Sequence, residues 1–440
     1  MAELTRLCGY LPLAIGMVAR QLHHHPAWSA SWRAAELAAA VDRLELMATE
    51  NLSVAAAFNL SYDELAPDQQ RLFRRLGLHP GTDIDIDAYA AAAVDGTSLG
   101  TARRGLETLY DQYLIAEPAQ GRYRMHDLIR EHAHALAVRL DPDRDRDQAA
   151  ARLLDYYQYT AGLAEARLAS QSRLASAVGP VPAAAPVLAD FEQALTWVRA
   201  ERASLLACLD QVTGTGQHAR IIALTAGVAG LLHQDGPWAE AIARHETAVR
   251  AAQHLGDRLG QANALGYLGL VRLLDGDYPA AARALEEELG LAHDLADCLA
   301  QANALHVLGD VRRLTGDYPG AARDLEQALG IYRDIGDRLG VAETLNEAGT
   351  LHRARGDLRQ ARSCHQQALD LAREIGSSRD EAHALAGLGR CALAAGPTAE
   401  AKDRLRQALE IFQRIGAAEA AEVSAEVQAL TDARPTPQGS

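Results

Sequence analysis

Gly276-Asp277-Tyr278-Pro279-Ala280-Ala281 returns forty residues later as Gly316-Asp317-Tyr318-Pro319-Gly320-Ala321, and more loosely as Gly356-Asp357-Leu358-Arg359-Gln360-Ala361. Three registers repeat together at this spacing: Gly269, Gly309, Gly349 and Gly389; Gly236, Gly276, Gly316, Gly356 and Gly396; Ala241, Ala281, Ala321, Ala361 and Ala401. Self-similarity at a fixed period of this length marks a stack of helical units that bury their apolar faces against one another. A glycine inside a helix costs about 1 kcal/mol against alanine, so Gly269 and its equivalents predict a neighbouring helix crossing too closely for a Cβ. The second glycine predicts a helix end, where positive φ is cheap. The aspartate after it suits the N-cap of the next helix, and Pro279 and Pro319 suit its first turn. The small alanine five residues beyond the glycine lets the second helix pack back on the first. Five such units span about residues 217–416.

This pattern resembles the tetratricopeptide repeat. Leu285, Leu325 and Leu405 stand where that family places a large apolar residue, while His245 and His365 depart from it. The period of forty instead of thirty-four is similar to the long-repeat variety found in kinesin light chains and many bacterial regulators. The resemblance implies a concave face lined by the first helix of each hairpin. Asn263, Asn303 and Asn346 are expected on that face, and because asparagine disfavours helix interiors, a repeated one suggests an amide kept to grip an extended peptide backbone. His306, Asp310, Arg313, Glu343, Arg353, His383 and Arg390 are expected to line the same surface. Ordinary solvated side chains are the competing reading for each.

Composition narrows the class. The chain has 440 residues, 48% hydrophobic but only 5% aromatic, a bias that favours helix over strand. Cys8, Cys208, Cys298, Cys364 and Cys391 lie far apart with no paired spacing, and read as reduced thiols. No basic segment leads into an apolar one at the N-terminus and no long apolar run occurs, so the expectation is a cytoplasmic protein without a membrane span. A formal net charge of −15 would repel a phosphate backbone, which disfavours nucleic acid as a partner.

In the N-terminal third motifs carry the reading. Cys8-Gly9-Tyr10-Leu11-Pro12-Leu13-Ala14-Ile15 resembles the glycine-leucine-proline-leucine motif of the NB-ARC type of STAND signalling switches, and Tyr123-Arg124-Met125-His126-Asp127-Leu128 resembles the methionine-histidine-aspartate motif of the same family. Their order and spacing, with Ser61-Tyr62-Asp63-Glu64-Leu65 and Gln70-Arg71-Leu72-Phe73 between them, make the match specific over about residues 2–140. The segment Trp197-Val198-Arg199-Ala200-Glu201-Arg202 looks like the region joining such modules to repeats in AfsR-like regulators of actinomycetes. The resemblance assigns Pro12 to the nucleoside and His126 to the β-phosphate of bound ADP. A phosphate-binding loop needs a glycine-rich turn ending in lysine, and the single lysine, Lys402, sits inside a repeat with no such glycines before it. ADP binding is therefore expected only with a complete nucleotide module, and the sequence is expected to be a truncated frame, a fragment or a shortened relative.

From the residues alone, 55–140 reads as helices ending in a hairpin, with Tyr113-Leu114-Ile115-Ala116 and Arg122-Tyr123-Arg124-Met125 flanking Glu117-Pro118-Ala119-Gln120-Gly121. Three helices and a wing make a winged helix. As a DNA reader it would present Arg103 and Arg104, yet the segment holds twelve acidic side chains against nine arginines, so packing against a nucleotide domain is preferred over base readout. His23-His24-His25 read as a solvated turn, because adjacent helical side chains diverge. Asp83, Asp85 and Asp87 lack the later glycine and glutamate of a calcium loop. No catalytic constellation has a defensible spacing.

The expected fold is all-α: a helical bundle (1–54), a winged helix (55–140), a helical connector with a Pro/Ala-rich loop at 175–186 (141–216), five forty-residue tetratricopeptide-like hairpins forming an α-solenoid (217–416), and a C-terminal helix with a disordered tail (417–440). The expected function is a non-enzymatic signalling scaffold, the sensor half of a STAND-type regulator, binding a protein or peptide in the repeats and able to dock a nucleotide-binding module. The alternatives are an ADP- or ATP-binding switch and a DNA-binding transcriptional regulator.

Overall fold

The computed structural model describes residues 2–7, 15–16, 18–19, 22–23, 26–45, 52–81, 85–168, 180–396 and 398–432. The chain divides into two compact units, Met1–Ala161 with Val178–Leu188 and Arg199–Thr215, and Gly162–Ala177 with Ala189–Val198 and Gly216–Ser440.

The first unit contains α1 (Ala2–Leu7), α2 (Ala30–Glu45), α3 (Leu52–Asp63), α4 (Pro67–Leu76), β1 (Asp85–Ile86), α5 (Ala88–Asp95), α6 (Leu99–Asp111), β2 (Ala116–Ala119), β3 (Arg122–Arg124) and α7 (Asp127–Leu140). Pro67 opens α4, where a missing N–H is no loss, and the Gln69 side chain turns back to accept from the Ala66 N–H at 3.1 Å. One face of α4 then buries Leu72, Phe73 and Leu76. The other side is tied down by arginines: Arg74 donates to Asp141 at 2.7 Å and Arg75 to Asp95 at 3.0 Å. Tyr62 packs on Phe73 with ring centroids 5.7 Å apart, so the two short motifs between the longer ones meet in one core.

The three strands form an antiparallel sheet in the order β1-β3-β2. The hairpin differs from the sequence expectation in its first arm. Tyr113 takes a positive φ of 60°, and the Leu114 N–H donates back to Leu109 O at 3.0 Å. Residues 112–115 therefore close α6 in the manner of a Schellman stop, leaving Leu114 and Ile115 buried in the core and delaying the strand to Ala116. The edge strand β1 was not foreseen either. Asp85 pairs with Arg124 across the sheet and Asp87 caps α5 by accepting from the Ala90 N–H at 2.8 Å; Asp83 lies outside the described residues.

Two long helices, α8 (Asp143–Leu168) and α9 (Phe191–Gly214), contribute residues to both units. Residues 180–189 between them carry no helix or strand.

The second unit stacks five hairpins. They are α10 (His218–Gly227) and α11 (Ala229–Asp235) with α12 (Trp238–Leu255); α13 (Arg258–Asp275) with α14 (Tyr278–Asp294); α15 (Cys298–Leu314) with α16 (Tyr318–Ile335); α17 (Arg338–Ala354) with α18 (Leu358–Ile375); and α19 (Ser378–Ala395) with α20 (Thr398–Arg414). A last helix, α21 (Ala420–Asp432), stands where a sixth hairpin would begin and buries Val423 against Leu405, Ala408 and Phe412. The tail from 433 lies outside the described residues.

The repeated positions act as their chemistry requires. A Cβ on Gly269 would lie 2.5 Å from Leu285 Cγ, on Gly309 2.7 Å from Leu325 Cγ, and on Gly389 2.8 Å from Leu405 Cγ, so each leucine fills the space the missing side chain leaves. Full burial of such a leucine is worth about 1.5–3 kcal/mol, more than the helix propensity the glycine forfeits. Asp277, Asp317 and Asp357 cap the second helices by accepting from Ala280, Gly320 and Gln360 N–H groups at 3.2, 3.0 and 3.2 Å. A second series, Asp257, Asp297, Asp337 and Ser377, caps the first helices in the same way. The alanines Ala241, Ala281, Ala321, Ala361 and Ala401 are fully buried.

Candidate functional site

The first helices of the hairpins present one face in common, and its central part is built from α15, α17 and α19. His306 on α15 is half-buried and its Nδ1 lies 3.1 Å from the Thr344 hydroxyl on α17. That hydroxyl already donates to Gly340 O at 2.7 Å, so the imidazole N–H is the donor to it. Burial pushes the His306 pKa down to about 4 against a small opposing pull from Asp310. Asp310 forms an ion pair with Arg313 one turn later, and Arg313 Nε reaches towards Glu347 Oε2 at 3.7 Å.

Glu343 and Glu347 stand one turn apart on α17, and both carboxyls resist ionisation. Burial and then Asp380 push Glu343 well above the usual carboxylate range; burial and then Asp310 push Glu347 up to about 8, with Arg313 opposing. Asp380 on α19 is raised by burial even though the Ser377 hydroxyl donates to it at 2.5 Å. Desolvation disfavours the charged form wherever too few cations answer it, and here Arg313 and Arg379 serve four carboxyls. Arg353, further along α17, makes no ion pair among the described residues.

At the C-terminal end the cations are answered from the last helix and the turn before it. Arg379 lies 3.0 Å from Glu419, His383 3.4 Å from the same carboxylate, and Arg390 2.6 Å from Glu426 and 3.0 Å from Glu422. Glu419 is held far below the usual range, by the His383 hydrogen bond first and then by Arg379, against burial. The first hairpin faces the same field: His233 on α11 is lowered to about 4 by burial first, with Arg379 and Glu419 both in electrostatic reach.

The three asparagines sit differently from the expectation. Asn303 is 1% exposed, and its Oδ1 accepts from the Tyr332 hydroxyl at 2.6 Å. Asn346 is 6% exposed, donating to Asp380 O at 3.2 Å and accepting from His365 Nδ1 at 3.2 Å. Asn263 is 5% exposed. The amides of Asn303 and Asn346 are thus committed to neighbouring helices, which explains their place in a helix interior: a buried amide there satisfies a hydroxyl, an imidazole or a carbonyl that would otherwise be orphaned. The sequence reading missed Glu347, Arg379 and Asp380. Glu347 follows Glu343 by one helical turn and could have been found from that spacing.

Of the two residues assigned to ADP, Pro12 lies outside the described residues. His126 is exposed and caps α7, its Nδ1 accepting from the Leu128 N–H at 3.3 Å. Lys402 is on α20, far in sequence from either. Among the described residues no cluster of metal-ligating side chains occurs, and no helix is long and apolar enough to cross a membrane.

The tetratricopeptide repeat family matches residues 220–294 and 340–414, the first two and the last two hairpins. The regulatory protein AfsR of Streptomyces coelicolor is 38% identical over 226 residues, covering 50% of this chain and 23% of that protein. AfsR of Streptomyces griseus is 35% identical over 281 residues, covering 63% of this chain and 28% of that one. The chain thus spans about a quarter of the length of these relatives. Among solved structures, a signal transduction ATPase with numerous domains carrying a tetratricopeptide repeat sensor, from Pyrococcus horikoshii, aligns over 97% of this chain and 64% of its own at 15% identity, with a TM-score of 0.47.

Proposed function

We propose that this chain, a tetratricopeptide-bearing homologue of AfsR over part of its length, is the sensor half of a STAND-type regulator, non-enzymatic in itself and binding a protein or peptide along the first helices of its hairpins. The observation that carries the reading is the state of the face on α15, α17 and α19. Asp310, Glu343 and Glu347 crowd it, answered by Arg313 and, at Glu343, by Arg379, which already pairs with Glu419, while Arg353 is left without an ion pair among the described residues. Partly desolvated, incompletely answered charge is costly unless something else meets it, and a ligand's amide or cationic groups would do so. His306, Asp310, Arg313, Glu343, Arg353, His383 and Arg390 are the proposed contact residues, with Asn303 and Asn346 beneath them as supports that hold the helices in register and Asn263 at the position of Asn303 one repeat earlier.

On this reading the helices and hairpin of residues 55–140 are a winged helix of NB-ARC type that relays the state of the repeats to a nucleotide module. Pro12 and His126 would contact ADP only with that module complete. The acidic balance of this segment keeps DNA the weaker alternative, and a cytoplasmic location goes with a regulator of this kind.

The test places a photo-crosslinking side chain at Arg353, on the proposed face, and separately at Arg362, on the second helix of the same hairpin, in the full chain in its own cells. Capture of one partner from position 353 and not from 362, abolished by Glu343→Gln with Glu347→Gln, supports the reading. Equal capture from both positions, or none from either, refutes it.

A further inference from the structure

Within the second unit, α21 departs from the register of the first helices before it. Counting by forty, Glu422 and Glu426 stand where α19 has Ala382 and Ala386, both buried. A carboxylate in that place is costly unless it is paired, and on α21 both are paired with one arginine of α19: Arg390 lies 2.6 Å from Glu426 and 3.0 Å from Glu422. In the turn before the helix, Glu419 meets Arg379 at 3.0 Å and His383 at 3.4 Å. Arg379, His383 and Arg390 are at helical spacing and share one face of α19, so three carboxylates cover three cationic positions at this end of the groove.

Little else holds α21. It has 13 residues, and Val423 is the side chain it buries fully, whereas α19 buries Leu385, Leu388, Cys391 and several alanines. A helix this short is marginal in water by itself. Residues 417–432 carry Glu419, Glu422, Glu426 and Asp432 and neither Lys nor Arg. On α17, Arg353 lies in the same field as the covered cations: His365 is held down to about 4 by burial first and then by Arg353, Arg390 and His383. The carboxylates of α21 answer Arg390 and His383, while Arg353 makes no ion pair among the described residues.

We propose that α21 is a resident stand-in for an acidic segment of the partner, covering Arg379, His383 and Arg390 until a carboxylate-rich peptide, held in addition by Arg353, displaces it. Charge complementarity carries the choice of occupant. The chain has a formal net charge of −15, so an acidic peptide is repelled except where cations are concentrated, and the chain's own occupant of this end is acidic. Half-exposed ion pairs are individually weak, so a segment that reaches Arg353 as well as Arg390 gains over one that reaches Arg390 alone. The proposal rests on the groove reading for the partner's place, but its test uses a peptide of known sequence, so loss of the crosslink from position 353 and loss of this competition are separate results.

The test uses the full chain at low salt with a fluorescent octaglutamate as the probe, read by polarisation, together with amide hydrogen exchange at residues 420–432. Glu422→Gln with Glu426→Gln is expected to speed that exchange about 5-fold or more, as charge-assisted hydrogen bonds are lost, and to tighten octaglutamate about 5-fold or more, as competing occupants of one site require. Arg353→Gln added to this pair should weaken the probe again by about 3-fold. Arg390→Gln alone should free α21 equally without tightening the probe. Arg362→Gln, on the second helix of the same hairpin as Arg353, is the control and should leave affinity unchanged, and unaltered exchange in α12 to α18 shows that the hairpins stay folded. Exchange at 420–432 that does not rise in the double variant means that Arg390 does not hold α21 and overturns the proposal. A rise with unchanged affinity makes α21 a plain end cap and overturns it too, as does tightening that Arg353→Gln leaves untouched or that Arg362→Gln reverses equally.

Discussion

The imidazole of His365 rests on the bare Cα of Gly349, so closely that a Cβ on that glycine would lie 2.7 Å from the ring. His365 stands where Leu285, Leu325 and Leu405 stand in other hairpins, and it keeps the leucine's packing role while adding a hydrogen bond to Asn346. Gly349→Ala should therefore destabilise the chain by about 1–3 kcal/mol, as overpacking does, although helix propensity alone favours alanine by about 1 kcal/mol. Urea denaturation decides between the two: a gain in stability would mean that the crossing is not tight.

Ala296 occupies a position that glycine holds elsewhere. Its φ is 52°, and the equivalent residues Gly256, Gly336, Gly376 and Gly416 have φ of 68°, 76°, 76° and 64°. The left-handed region costs an L-residue about 1–2 kcal/mol, offset in part by glycine's greater freedom in the unfolded chain. Ala296→Gly should raise stability by about 0.5–1 kcal/mol. A fall in the denaturation midpoint would show that the strain is relieved by some other means.

The buried asparagines make a sharper claim about stability than about binding. Asn303→Ala strands the Tyr332 hydroxyl between α15 and α16, and removing one partner of a buried pair costs about 1–3 kcal/mol. Restoring the balance with Tyr332→Phe in the same chain should recover part of that loss, since both partners are then apolar. Equal stability of Asn303→Ala and the parent would mean that the hydroxyl finds another acceptor.

What the sequence made legible follows from which forces repeat. Gly309 against Leu325 and the aspartate caps recur every forty residues, so each is read several times over and chance coincidence drops out. The asparagine amides were placed on the right helices, but their direction depends on single partners, Tyr332 and His365, on different helices. Glu165 and Glu201 belong to no repeat at all. Glu165 meets Tyr267 across about a hundred residues of chain, and no local periodicity announces a contact between lone residues at that separation. The shift of the hairpin's first arm has a similar cause, because Tyr113 adopts a left-handed conformation that its residue type disfavours.

The histidines set the acid limit of the fold. His79, His132, His233, His306 and His365 are all held low by burial, His79 to about 3 and the others to about 4. A histidine whose folded pKa is depressed below its unfolded value of about 6.5 contributes stability that is complete above that value. It is lost as pH falls towards the folded pKa, because the unfolded chain then binds the extra proton. Thermal midpoints should therefore fall steeply between about pH 6.5 and 4, and His306→Gln should make that fall shallower. A midpoint flat across this window would mean that the buried imidazoles are already charged.

Glu347 tilts the balance the other way at the alkaline end. Its folded pKa is raised from 4.5 to about 8, so the folded state holds a proton that the unfolded chain has released. Such a group contributes stability that is fully present below its unfolded pKa and is lost as pH rises through the folded value. The window is accordingly pH 4.5 to about 8. Within it the loss from Glu347 opposes the gain from the histidines. Glu347→Gln keeps a neutral side chain of the same shape beside Arg313 and removes the titration. The variant should match the parent near pH 5 and become the more stable of the two by pH 8, with the difference growing steadily between them. Salt distinguishes the cause: Glu343, Asp310 and Asp380 crowd the same face, and screening weakens their repulsion, so added salt should narrow the gap by helping the parent more. If Glu347→Gln is less stable than the parent at pH 8, the carboxylate is ionised there and its pairing with Arg313 outweighs the crowding.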